Sequence, residues 1–88
     1  MYLVPLDTQV ETLKLATLLR SKGYRVLIEM NKKKIGKCFE YAERENIKYV
    51  MIIGENEVSS QVYKIKDMEE KVEYTFSQDE LLEYLANN

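Results

Sequence analysis

The sequence predicts an α/β domain with helices layered on both sides of a sheet, on three observations. Apolar runs at residues 2–6, 24–29 and 49–53 alternate with two stretches of helical spacing, which reads as β-α-β-α-β. The third run, Tyr49, Val50, Met51, Ile52 and Ile53, has no polar position, as expected of a strand buried between two helix layers. Beyond Gly54 the pattern changes to strict alternation, the mark of strands with one wet face. At 88 residues there is room for one small domain, so residues 1–88 are read as a single unit.

The first strand candidate, residues 2–6, carries Pro5, which donates no backbone hydrogen bond and is therefore placed at the strand's C-terminal end. Thr8, with Glu11 three residues later, has the spacing of a capping box and opens a helix that runs to about Lys22. Val10, Leu13, Ala16 and Leu19, flanked by Leu15 and Leu18, predict its buried face, and Gly23 stops it. A second strand is expected over residues 24–29, then a basic loop over 31–34. From Ile35 the spacing Ile35, Cys38, Phe39, Ala42 marks one face of a helix ending near Asn46. After the central strand, Tyr63 and Ile65 alternate with Lys64 and Lys66, and Val72, Tyr74 and Phe76 alternate with Lys71, Glu73 and Thr75. Residues 67–70 are the expected hairpin connection. Ser77 and Glu80 form a second capping box before a last helix bearing Leu81, Leu82, Tyr84 and Leu85. The expectation is five strands and three main helices.

Composition excludes several chemistries. With 45% hydrophobic and 32% charged residues, three Gly and one Pro, the chain is neither disordered nor collagen-like. There is no His and one Cys, so no zinc finger, Ser-His-Asp triad or disulfide framework can be assembled, and no cofactor or metal is expected. The longest apolar run is far short of the roughly 20 residues that cross a bilayer, and the first residues do not resemble a signal peptide, so the expected setting is cytoplasmic. The net charge of -2 is uneven. Residues 14–48 carry ten Lys or Arg against four Glu, a balance of +6, while residues 49–88 carry three Lys against nine acids, a balance of -6. Such polarity suits a basic patch facing a polyanion with an acidic remainder in water.

The order of elements, together with Val4-Pro5-Leu6, Lys34-Ile35-Gly36-Lys37, the run 49–53 and Gly54-Glu55-Asn56-Glu57-Val58, resembles the anticodon-binding domain of class II aminoacyl-tRNA synthetases. This version is shared by the histidyl, glycyl, threonyl and prolyl enzymes. Lys66-Asp67 and the closing Asp79-Glu80-Leu81-Leu82-Glu83-Tyr84-Leu85 are most similar to the C-terminal domain of the histidyl enzymes, and Lys34-Ile35-Gly36 also resembles the threonyl ones. The resemblance covers essentially the whole chain. It implies a mixed sheet of order 2-1-3-4-5 with strand four antiparallel. Cys38 departs from the histidyl pattern, where Gln usually follows the lysine matched by Lys37. Nothing resembles the class II catalytic motifs, so the chain alone is not expected to aminoacylate.

Lys32, Lys33, Lys34 and Lys37 lie between strand two and helix two, where flexible cations and helix amides can follow phosphates. The resemblance turns a solvated lysine loop into an expected RNA-backbone contact. Glu57, three residues beyond the Gly54 that ends the central strand, matches an acidic position used for base recognition in related domains. A carboxylate repels phosphate and is useful beside RNA as an acceptor for base N–H groups. Lys64 and Lys66 are expected on the exposed face of strand four, and Lys66 matches a base-contacting basic position of the threonyl family. Tyr24, Phe39, Tyr49, Tyr74, Phe76 and Tyr84 fall on apolar faces and are assigned to core packing rather than base stacking, and Cys38 to the core. The function expected is recognition of the anticodon arm of a tRNA, in particular the histidine tRNA. Two rivals remain, an α/β enzyme, for which Asp7, Glu55, Gly54 and Gly36 make no convincing cluster, and a module reused for protein contact or dimerisation. An exposed apolar patch would mark the second.

Overall fold

The computed structural model describes residues 1–87. Its elements, in order, are β1 (Tyr2–Pro5), α1 (Gln9–Ser21), β2 (Leu27–Ile28), α2 (Ile35–Arg44), β3 (Tyr49–Ile53), α3 (Glu55–Ser60), β4 (Val62–Asp67), β5 (Val72–Ser77) and α4 (Gln78–Ala86). The five strands make one sheet of order β2-β1-β3-β4-β5. β1 runs parallel to both β2 and β3, whereas β4 is antiparallel to β3 and to β5. The order and directions are those expected, and Pro5 is the last residue of β1, opposite Ile53.

Because side chains alternate across a strand, the sheet has two cores. On one side Leu3, Met51, Ile53 and Ile65 meet Leu15, Ala16 and Leu19 of α1 and Leu81 and Leu85 of α4. On the other, Tyr2, Val4 and Val50 meet Cys38 and Ala42 of α2. This is the three-layer arrangement that an all-apolar β3 requires. Tyr49 is buried, Tyr24, Tyr74, Phe76 and Tyr84 pack against the first core, and Phe39 packs against the second, as assigned. Cys38 is fully buried.

Both long helices of the β-α-β-α-β unit end in the same way. After α1, Tyr24 N–H bonds to the Leu19 carbonyl and Gly23 N–H to that of Arg20, with Gly23 at φ 94. After α2, Ile47 N–H bonds to Ala42 and Asn46 N–H to Glu43, with Asn46 at φ 56. These are Schellman caps, which place a left-handed residue just past the helix, and Gly and Asn adopt that conformation most cheaply.

The structure differs from the sequence expectation in five places. Residues 55–60, not assigned to any element, form the short helix α3, a fourth helix among the described residues beside the three main ones expected. Strand two is confined to Leu27–Ile28, although single bonds from the Met1 ammonium to the Arg25 carbonyl and from the Glu29 amide to the Leu3 carbonyl flank it, and Arg20 donates to the Val26 carbonyl. The buried face of α1 is Thr12, Leu15, Ala16 and Leu19, while Val10 and Leu13 are 63% and 53% exposed. Ile35 is likewise exposed at the start of α2. Apolar residues lie all around α1, so their spacing did not define a single face. Thr8 is the N-cap of α1 but makes no side-chain capping bond. Its hydroxyl goes instead to the Ile53 carbonyl.

Candidate nucleic-acid interface

All three parallel strands end at the same end of the sheet, and β1 lies between its neighbours β2 and β3. In open α/β sheets the crevice outside such strand ends is where ligands bind. Here it is formed by the segments after β1, β2 and β3. One cleft of about 170 Å³ is lined by Pro5, Leu6, Asp7, Asn31, Lys32 and Lys33. A wider one of about 420 Å³ is lined by Leu6, Asp7, Gly54, Glu55, Asn56 and Glu57. Asp7, in the left-handed region at φ 59, belongs to both.

The lysines of the basic loop are not equivalent. Lys32 pairs with Asp7 at 3.8 Å and Lys37 with Glu40 at 3.4 Å, with all four side chains largely exposed. Exposed pairs of this kind contribute about 0–1 kcal/mol and exchange readily for another anion. Lys34 is the N-cap of α2, and its carbonyl accepts from the amides of Lys37 and Cys38. Lys33 pairs with Glu29 at 3.4 Å, and the Glu29 side chain is only 8% exposed.

Glu57 is the third residue of α3, which opens directly after Gly54. Its Oε1 accepts from the Gly54 amide at 3.4 Å, a long contact that leaves most of the carboxylate's acceptor capacity unused. Lys64 and Lys66 project from β4 on the α2 side of the sheet, alternating with buried Ile65. Lys64 is exposed, but Lys66 is half-buried, its ammonium 4.7 Å from the centre of the Phe39 ring. Lys66 is level with Val50, three residues before the end of β3, or about 10 Å from the crevice at the rise of a strand. The fold therefore brings Lys32 and Glu57 to adjoining clefts and sets Lys66 apart from them. Sequence reasoning passed over Asp7 as a partner of Lys32, and over Glu29. The spacing of Glu29 and Lys33 was the available signal for the latter. Among the described residues no cluster of His, Cys, Asp or Glu is arranged to hold a metal, and no helix is long and apolar enough to cross a membrane.

A mixed sheet of this order, with helices on both faces and a basic loop beside the strand-end crevice, defines a small three-layer α/β domain. Residues 1–88 match the family model of the anticodon binding domain, and the chain belongs to that family. Over 68 residues it is 46% identical to a histidine–tRNA ligase, number 2, of Shouchella clausii, covering 77% of this chain and 16% of the relative. The histidyl-tRNA synthetase from Nostoc sp. PCC 7120 superposes with a TM-score of 0.87 at 27% identity, over 98% of this chain and 21% of that one. The RNA binding domain of threonyl-tRNA synthetase from Cryptosporidium parvum Iowa II gives 0.89 at 16% identity, over 98% and 22% of the two chains, a likeness of fold. The chain thus spans about a fifth of the length of the histidyl proteins it matches.

Proposed function

We propose that this domain recognises the anticodon arm of a tRNA, specifically the histidine tRNA, as the RNA-reading part of a cytoplasmic histidine–tRNA ligase. Its mechanism is recognition; activation of the amino acid belongs to the remainder of such an enzyme. The observation that carries the reading is the crevice at the ends of the parallel strands, with exchangeable cations on one side and a carboxylate with spare acceptor capacity on the other. Lys32, Lys34 and Lys37 follow the phosphates and set the register of the loop. Glu57 accepts from base N–H groups, which phosphate cannot offer. Lys64, on the open face of β4, and Lys66, steadied by Phe39, extend the cationic surface along the strand.

The test is a salt titration of binding to an anticodon stem-loop RNA. Neutralising about three phosphates gives a slope of roughly -2 for log affinity against log salt, at about -0.7 per single-strand contact. Replacing Lys32, Lys34 and Lys37 together by Ala flattens that slope and leaves the fold intact. An unchanged slope in the triple variant overturns the reading. It would favour a second one, a subunit contact in a dimeric synthetase, which rests on the exposed Val10 and Leu13 of α1.

A further inference from the structure

Glu29, two residues before the basic loop, is half-buried with its side chain only 8% exposed, although Met30, Asn31 and Lys32 after it are exposed. Its amide donates to the Leu3 carbonyl, so its backbone still belongs to the ladder beside β1. One carboxylate oxygen, Oε2, accepts from the Tyr2 hydroxyl at 2.8 Å and faces the Lys33 ammonium at 3.4 Å. That ammonium also lies 4.9 Å from the centre of the Tyr41 ring, which in turn packs 5.2 Å from the ring of Tyr2. Four segments are thereby joined: β1 through Tyr2, the end of β2 through Glu29, the loop through Lys33, and α2 through Tyr41.

Burial first, then hydrogen bonding with Glu29 and Cys38, pushes the pKa of the Tyr2 hydroxyl upward, consistent with its role as the donor to Glu29. A cation held between a shielded carboxylate and an aromatic face is oriented and partly shielded, the Lys33 side chain being 40% exposed against 89% and 71% for Lys32 and Lys37 in their pairs. Releasing Lys33 to a phosphate would leave the Glu29 carboxylate buried with a single partner, which is costly.

We infer that Glu29, fixed by Tyr2, is a positioning residue that pins the loop at Lys33 and so presents Lys32 and Lys34 to RNA, Lys33 itself contacting no phosphate. This deepens the anticodon-arm reading and rests on it. Ordering the loop before binding removes part of the entropic cost of forming the complex.

The experiment uses two readouts. Backbone NMR order parameters of residues 31–34 in the free protein report the pinning without RNA, and salt-dependent binding of the histidine anticodon stem-loop reports its consequence. Glu29→Gln and Tyr2→Phe are expected to lower the order parameters of the loop and weaken binding about 3- to 10-fold at an unchanged salt slope. The sign for Glu29→Gln is decisive, because removing an anion beside a basic loop would by charge alone tighten binding. Lys33→Met is expected to keep the slope, whereas Lys32→Ala lowers its magnitude by about 0.7. Unchanged loop order in Glu29→Gln, or binding as tight as that of the original protein, overturns the inference. Should Tyr2→Phe fail to fold, Glu29→Gln and Lys33→Met carry the test. Absence of RNA binding by the unaltered domain would overturn the anticodon reading instead, and with it the assignment of Lys32 and Lys34, while the order parameters still decide whether Glu29 pins the loop.

Discussion

The hydroxyl of Thr8 donates a hydrogen bond to the main-chain carbonyl of Ile53, 45 residues away, so the N-cap of α1 is tied to the last residue of the central strand. The same carbonyl accepts the Leu6 amide, and Thr12 Oγ1 lies 3.2 Å from the Thr8 oxygen. As Thr8 donates to Ile53, Thr12 donates to Thr8. This buried chain of polar groups holds the segment carrying Asp7 against the segment carrying Glu57. Thr8→Val keeps the shape and removes both bonds, leaving the Thr12 hydroxyl buried without its acceptor. A loss of about 1–3 kcal/mol is expected, read from the urea midpoint at an unchanged m-value.

Cys38 lies on the buried face of α2 beneath β1. Thiol reagents are expected to modify it slowly in the native protein and rapidly in urea. Cys38→Asp places an unpaired charge in that core and is expected to cost about 3 kcal/mol or more in equilibrium unfolding. Rapid labelling of the native protein would contradict the burial.

The capping box that opens α4 is formed on both sides, Glu80 N–H to Ser77 Oγ and Ser77 N–H to Glu80 Oε1 at 2.8 Å. Ser77→Ala is expected to cost about 1 kcal/mol at neutral pH. The bonds from the Ser77 backbone and side chain hold the Glu80 carboxyl below its ordinary value. A depressed folded-state pKa contributes stability that is fully present above the unfolded value, about 4.3, and is lost as pH falls through the folded one. Thermal melts from pH 6 to pH 3 should show this acid-side loss in the original protein and a smaller one in Glu80→Gln.

If the proposed anticodon reading holds, Glu57 is expected to govern which anticodon is preferred more than how tightly RNA is held. A carboxylate accepts from the guanine N1 and N2 donors, and the histidine anticodon contains guanine. Glu57→Ala is expected to lose about 1–3 kcal/mol of discrimination, the scale of a good base contact, while affinity for other loops stays or rises slightly. The measurement is the ratio of dissociation constants for two stem-loops, one with the histidine anticodon and one with its guanines replaced by adenines, at one salt concentration. Equal ratios in variant and original would remove the assignment.

The amino-acid order alone determined what is local. A two-residue period marked β4 and β5, an all-apolar run marked β3, and Ser77 with Glu80 or Gly23 after Leu19 marked helix ends, because each of these depends on bonds between residues a few positions apart. It also determined that cations would collect before α2. The tertiary structure alone decided what depends on distant partners. Thr8 faces inward, where Ile53 offers it an acceptor, and α1 is turned so that Val10 and Leu13 meet water. Residues 55–60 have no apolar periodicity, yet coil into α3 where Val58 packs on the first core. Four consecutive loop positions carry Asn31, Lys32, Lys33 and Lys34, and their order alone does not say which lysine meets a shielded carboxylate. Glu29 makes that distinction only once parallel pairing has brought Tyr2 within hydrogen-bond reach, 27 positions away in the chain.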